Sequence, residues 1–236
     1  MNSSSTSGYD SNMNKHQQPR AAPEVVDRAR FDAALAEQVA AEKEVTRHND
    51  RVSATRRRLP MVEVEDYTFT STNAPIKLTE LFGDNYLLLV QHFMFGPHWD
   101  EGCPNCTWAV DNLPANMQRL SDEGIAFAMV SQAPIEKLRD WATKRGWSHT
   151  WVSSAGTSYH YDWRWTRKNE QGDDGPVPGY SYYLRKDGKP YLTYMTKARG
   201  TEAILPVAQI MDRTVYGRQQ EWEDSPAGWP QNPTYG

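Results

Sequence analysis

The chain has 236 residues, 24 % of them charged, and a formal net charge of −4, a balance that gives no global electrostatic reason to bind nucleic acid. No apolar stretch approaches the ~20 residues that a membrane-spanning helix needs. There are two cysteines, and the N-terminal MNSSSTSGYDSNMNKHQQPR lacks the apolar centre of a secretory signal. Together these features predict a reducing, cytoplasmic setting, where a disulfide is catalytic or transient and not a structural staple.

In chain order, residues 1–22 are rich in Ser, Asn and Gln with almost no apolar side chains, which predicts disorder. Residues 23–60 form a helical extension: Ala, Glu, Arg and Lys dominate until Leu59-Pro60 stops the helix. Its apolar stripe (Val25, Ala29, Leu35, Val39, Val52) is thin, so the helix is expected to lie on the main domain or to pair with a second copy in a homodimer. Residues 61–217 are expected to make one domain. Alternation from Met61 to Phe69 suggests a strand or hairpin arm, and Leu78–Phe82 a short helical turn. Leu87–Val90, continued by Phe93, Met94 and Phe95, reads as a strand buried on both sides. A helix with Trp108, Leu113, Met117 and Leu120 on one face follows, closed by Gly124.

Ile125–Ser131 is a second apolar strand, Ile135–Arg145 a helix capped by Gly146, and Thr150–Ser153 a short strand. After an aromatic loop, Tyr159–Trp165, and a polar segment, Thr166–Gly179, the stretches Tyr180–Arg185 and Pro190–Met195 flank a hairpin turn at Lys186-Asp187-Gly188-Lys189. A last helix spans about Thr201 to Arg213, kinked or started late by Pro206. Residues 218–236 make an irregular tail rich in Trp and Pro. The order β–α–β–α–β, hairpin, α is an α/β layout with a central mixed sheet flanked by helices, as in the thioredoxin fold.

Both cysteines lie at the junction between the buried strand and its helix, as Cys103-Pro104-Asn105-Cys106. A helix N-terminus carries unpaired N–H groups and a partial positive charge, which favour a thiolate. Proline is at home in the first helical position. Cys103 is therefore read as the exposed N-cap nucleophile, and Cys106, one turn on, as the resolving thiol. A structural zinc site needs two more ligands at close spacing, and His92, His98, His149 and His160 are scattered singly. An inert buried pair is the plain alternative.

The blocks RRRLP (56–60), HFMFGPHWDEGCPNC (92–106), VSQAP (130–134), RGWSHTWVSS (145–154) and ARG (198–200) closely resemble an uncharacterised thioredoxin-like family, domain of unknown function 899. The resemblance covers about Glu42 to Arg218 and implies the thioredoxin fold, but no substrate. Where that family has an aromatic–Asn–Tyr–Asp–aromatic run, this chain has Tyr159-His160-Tyr161-Asp162-Trp163. Likeness to thioredoxins proper implies a proton-handling group beneath the cysteines. It falls here on His92, which would take the proton from Cys106, or else would simply pack in the core. It also implies a cis-proline beside the pair, for which Pro178 is the candidate and Pro176 the second. Trp99 and His98 are expected to form one lip of the site. A peroxiredoxin would carry Thr three residues and Pro seven residues before its reactive cysteine. Asp100 and Gly96 stand there instead.

The expected function is thiol–disulfide exchange on a protein or small-molecule thiol or disulfide, without cofactor, nucleic acid or membrane. The alternatives are a binding protein holding a soft metal on the two thiolates with His92 or His98, and a small-molecule enzyme using the aromatic cleft around Tyr159–Trp165.

Overall fold

The computed structural model describes residues 21–114, 117–168, 174–229 and 231. The disorder expected for residues 1–22 and the end of the expected tail fall largely outside these residues.

The chain opens with α1 (Arg28–Arg56), which the Asp27 carboxylate caps by accepting from the Arg30 N–H at 2.8 Å. None of its residues is buried, so it covers no core. It reaches the domain where the Arg56 guanidinium lies 4.7 Å above the Tyr194 ring. Next come β1 (Val62–Glu63), a small hairpin of β2 (Thr68–Phe69) and β3 (Ile76–Lys77), and a 3-10 turn at Leu78–Phe82. The central strand β4 (Leu87–His92) leads to α2 (Pro104–Asp111), then α3 (Gln118–Asp122) and β5 (Ile125–Ser131). After α4 (Ile135–Arg145) and β6 (Thr150–Ser153) come α5 (Tyr159–Asp162) and a side hairpin, β7 (Thr166–Lys168) with β8 (Asp174–Pro176). The hairpin β9 (Gly179–Lys186) and β10 (Lys189–Lys197) and a 3-10 turn at Thr201–Ile204 precede α6 (Pro206–Met211).

The main sheet has the order β1-β10-β9-β4-β5-β6. β4, β5 and β6 run parallel, joined by helical crossovers, while β9 is antiparallel to both β4 and β10. A strand–helix–strand unit followed by a hairpin and a helix, with the first strand between its parallel partner and the hairpin, is the thioredoxin-like arrangement. β6 extends it on one side. The expected fold class therefore stands.

Two differences from the sequence reading have local causes. The single helix expected to run from Cys103 toward Leu120 is broken into α2 and α3. Pro114 cannot donate to the helical ladder and crowds the preceding turn, so α2 ends at Asp111. The aromatic loop instead contains α5, with Tyr159 and His160 buried. The late start of the last helix at Pro206 agrees with the reading.

The sheet separates two cores. On one face Leu88, Val90, Val130, Val152, Tyr159 and Tyr183 pack with Phe69, Leu78 and Phe82. On the other Phe93, Phe95, Met129, Leu138 and Trp151 pack around Cys103, Cys106 and Val110. Side chains alternate along a strand, so the parity of each β4 residue decides which core it joins.

Candidate active site

Cys103 caps the N-terminus of α2, with Pro104 in the first turn. The loop that brings it there is closed on itself: the Cys103 N–H donates to the Met94 carbonyl at 3.0 Å, and the Met94 N–H donates to Cys106 Sγ at 3.5 Å. Gly102 is required for this closure, since a Cβ there would come within 2.7 Å of Phe93 and 3.2 Å of the Trp141 indole nitrogen. The far end of α2 is held by Asp111, which accepts from Trp147 Nε1 at 2.9 Å and pairs with Arg145. Lys137 of α4 donates to the carbonyls of Trp99 (2.7 Å) and Pro97 (3.3 Å), and so fixes the loop before the cysteines.

The two cysteines are free thiols 3.7 Å apart. Their acidities are driven apart. A hydrogen bond from Cys106, aided by the N–H groups of Cys106 and Asn105, outweighs burial and lowers Cys103 to about 7. The same hydrogen bond, with burial, pushes Cys106 well above the usual thiol value. Cys103 is 6 % exposed and Cys106 4 %, so the N-cap sulfur is not the open nucleophile the sequence suggested. It sits in the core with Phe93, Phe95 and Trp151.

His92 is not beneath the cysteines. It has the parity of Leu88 and Val90 and lies on the opposite face of the sheet. There its Nε2 bonds Ser181 Oγ at 2.8 Å and its ring stacks on Trp165, 3.5 Å between centroids and 10° between planes. His160, bonded to Ser154 Oγ at 2.6 Å, meets it edge-on. Burial holds both imidazoles neutral, His92 far below its ordinary value and His160 at about 3. The proton-shuttle role assigned to His92 falls, because the sheet stands between its imidazole and Cys106. The metal site that would add His92 to the two thiolates is lost for the same reason. Among the described residues no three His, Cys, Asp or Glu side chains converge as metal ligands.

The cysteine-facing parity of β4 belongs to Leu89, Gln91 and Phe93. Gln91 is buried, with its Oε1 unpartnered, and pairs in register with Met129 of the cysteine core and with Tyr180 of β9. Tyr180, 2 % exposed, has an unpartnered hydroxyl, and a charge on Cys106 helps raise its phenol well above the ordinary value, after burial. The sequence reading missed both residues. The signal was a second polar residue, Gln91, beside His92 at the end of the apolar run Leu87–Val90.

Pro178 precedes Gly179, the partner of His92, so it lies at the end of the sheet from which β4 leads to Cys103. The described peptide bonds are all trans, so Pro178 is not the expected cis-proline, and neither is Pro176. Trp99 lies with its indole over Gly96, partly exposed beside exposed His98 on the fixed loop. A shallow cavity of about 250 Å³, lined by Phe95, Asp100, Glu101, Lys137, Trp141 and Lys144, opens on the outer side of this loop.

These features define a thioredoxin-like protein with a cysteine pair in the first turn of its central helix. Residues 20–235 match the family of bacterial proteins of unknown function designated DUF899, and the chain belongs to that family. Among solved structures it is similar to the peroxidoxin BcpB of Mycobacterium tuberculosis, with 14 % identity over 61 % of this chain and 88 % of that one and a TM-score of 0.48. It is also similar to a PrxQ variant from Xylella fastidiosa, with 10 % identity over 64 % and 94 % and a TM-score of 0.48. The bacterioferritin comigratory protein of Xanthomonas campestris gives 13 % identity over 61 % and 90 %, with a TM-score of 0.46. No curated protein matches the chain.

Proposed function

We propose that this protein is a cytoplasmic thiol–disulfide oxidoreductase in which Cys103 attacks and Cys106 resolves. The observation that carries the reading is the split acidity of two thiols 3.7 Å apart in one helical turn. A Cys103 value of about 7 makes a large share of thiolate available at neutral pH while keeping good nucleophilicity. The thiolate attacks one sulfur of a substrate disulfide, forms a mixed disulfide and releases the first substrate thiol. Cys106 then attacks the Cys103 sulfur, the mixed bond breaks, and the Cys106 proton leaves with the second substrate thiol. Cys103 and Cys106 end as a disulfide, which an external dithiol reduces. Trp99 and His98 on the outer loop, with Pro178 at the sheet end, contact the substrate in this proposal.

The experiment is exchange with oxidised glutathione, followed by mass spectrometry. Wild type should be oxidised at the pair, Cys103→Ser should form no intramolecular disulfide and turn over no disulfide substrate, and Cys106→Ser should accumulate a mixed disulfide on Cys103. A wild-type protein that takes up no oxidising equivalents from glutathione or oxidised dithiothreitol would sink the proposal.

A further inference from the structure

The resolving step needs Cys106 as a thiolate in a place that disfavours one. Burial raises its proton affinity, and the Met94 N–H donates to its sulfur only at a long 3.5 Å. In the resting pair the hydrogen bond with Cys103 is the largest influence holding the proton on Cys106. Once Cys103 is tied up in a mixed disulfide that bond is gone, and burial alone opposes ionisation.

Tyr180 stands on the same side of the sheet. Its neighbours in β9, Gly179 and Ser181, have the parity of His92 and meet Trp165 and the His92 imidazole on the other face. Tyr180 therefore points to the cysteine core, in register with Gln91. Its hydroxyl is buried without a partner, although a buried unpaired hydroxyl costs stability that Phe would not. The charged and titratable groups acting on it are Cys106 and Tyr182.

We propose that the Tyr180 hydroxyl is the hydrogen-bond donor that holds Cys106 as a thiolate during the resolving step, a positioning role that rests on the thiol–disulfide reading above. The phenol keeps its proton throughout. As Cys106 gives up its proton and attacks the Cys103 sulfur, the O–H turns onto the Cys106 sulfur to hold the charge developing there, and the proton ends on the second substrate thiol. The S–S bond to substrate breaks as the Cys103–Cys106 bond forms. Charge-assisted donation to a thiolate in a dry site is worth more than the same bond in water.

The test is the titration of Cys106 in Cys103→Ser, followed by the Cβ chemical shift of the isotopically labelled remaining cysteine, with and without Tyr180→Phe. Loss of the hydroxyl should move the midpoint up by about one unit, a tenfold smaller thiolate fraction at a given pH below it. The thermal midpoint should stay or rise, since an unpaired hydroxyl has been removed. In otherwise wild-type protein, Tyr180→Phe should slow mixed-disulfide resolution about tenfold and leave its formation unchanged. An unmoved Cys106 titration, with or without a loss of stability, overturns the inference. A moved titration in a protein that forms no mixed disulfide keeps the Tyr180–Cys106 contact and removes the redox reading instead.

Discussion

A thiolate on Cys103 and a thiol on Cys106 are the two halves of one hydrogen bond, so each acidity is set by the other. Alkylation by iodoacetamide should therefore be half-maximal for Cys103 near pH 7, with Cys106 lagging to much higher pH. Equal rates, or a Cys103 midpoint at the free value of about 8.5, would remove the case for a nucleophile. Cys103→Ser should also raise the reactivity of Cys106, because the partner that fixes its proton is weakened. The cysteine pair was legible because its signals are local: an N-cap, a Pro in the first turn and a spacing of three all lie within four residues. His92 was misread because strand position is binary. One residue of offset exchanges the cysteine core for the Tyr159–Trp165 core, and Leu87–Phe95 is apolar enough on both faces to hide the parity. Gln91, one place earlier, occupies the position that was assigned to His92.

At the scale of elements, β4 and β9 carry the site between them, and their close approach depends on Gly179. A Cβ there would lie 2.2 Å from the Thr196 carbonyl and 2.7 Å from Trp165. Gly179→Ala should cost about 1–3 kcal/mol by overpacking, read from urea unfolding. Because Gly179 faces away from the cysteines, the Cys103 titration should be unchanged in the fraction that stays folded. The strands and the hairpin were legible from apolar runs and turn residues, whereas the break at Pro114 was lost because helical spacing of apolar side chains continues across it. Helix α1 was legible from composition, but not its lack of a core to cover. Its side chains Phe31, Leu35, Val39, Val45 and Val52 remain exposed. Deleting residues 1–57 should change stability by no more than about 1 kcal/mol, since among the described residues it removes the Arg56–Tyr194 contact and the bond from the Tyr216 hydroxyl to the Ala21 carbonyl but no buried side chain. If α1 pairs two copies, as its stripe suggested, sedimentation should show the deletion turning a dimer into a monomer. An unchanged mass would remove that role.

For the whole molecule, the sheet face opposite the cysteines sets the acid limit of the fold. His92 and His160 are buried there as neutral rings, bonded to Ser181 and Ser154, with Lys197 as a nearby cation that makes protonation of His92 harder still. In the unfolded chain each imidazole takes up a proton near pH 6.5. In the folded chain each does so only far below that, His160 at about 3. Between those limits the unfolded state binds more protons, so acid favours unfolding. The stabilisation is complete above about pH 7.5 and falls steadily below 6.5. By pH 5 each histidine should have withdrawn about 2 kcal/mol, or about 4 kcal/mol for the pair. The carboxylates held low, Asp162 and Glu202, act only at lower pH, whereas Cys103 and His149, both held below their ordinary values, add smaller amounts to the same slope. Urea midpoints measured at pH 7.5 and 5.0 give the slope directly. His160→Asn puts in place the residue that the family resemblance expects there and keeps a hydrogen-bonding group for Ser154, so it should fold and roughly halve the slope. A midpoint that does not move between the two pH values, or an Asn variant as acid-sensitive as wild type, would mean that these imidazoles titrate in the folded protein much as they do in water.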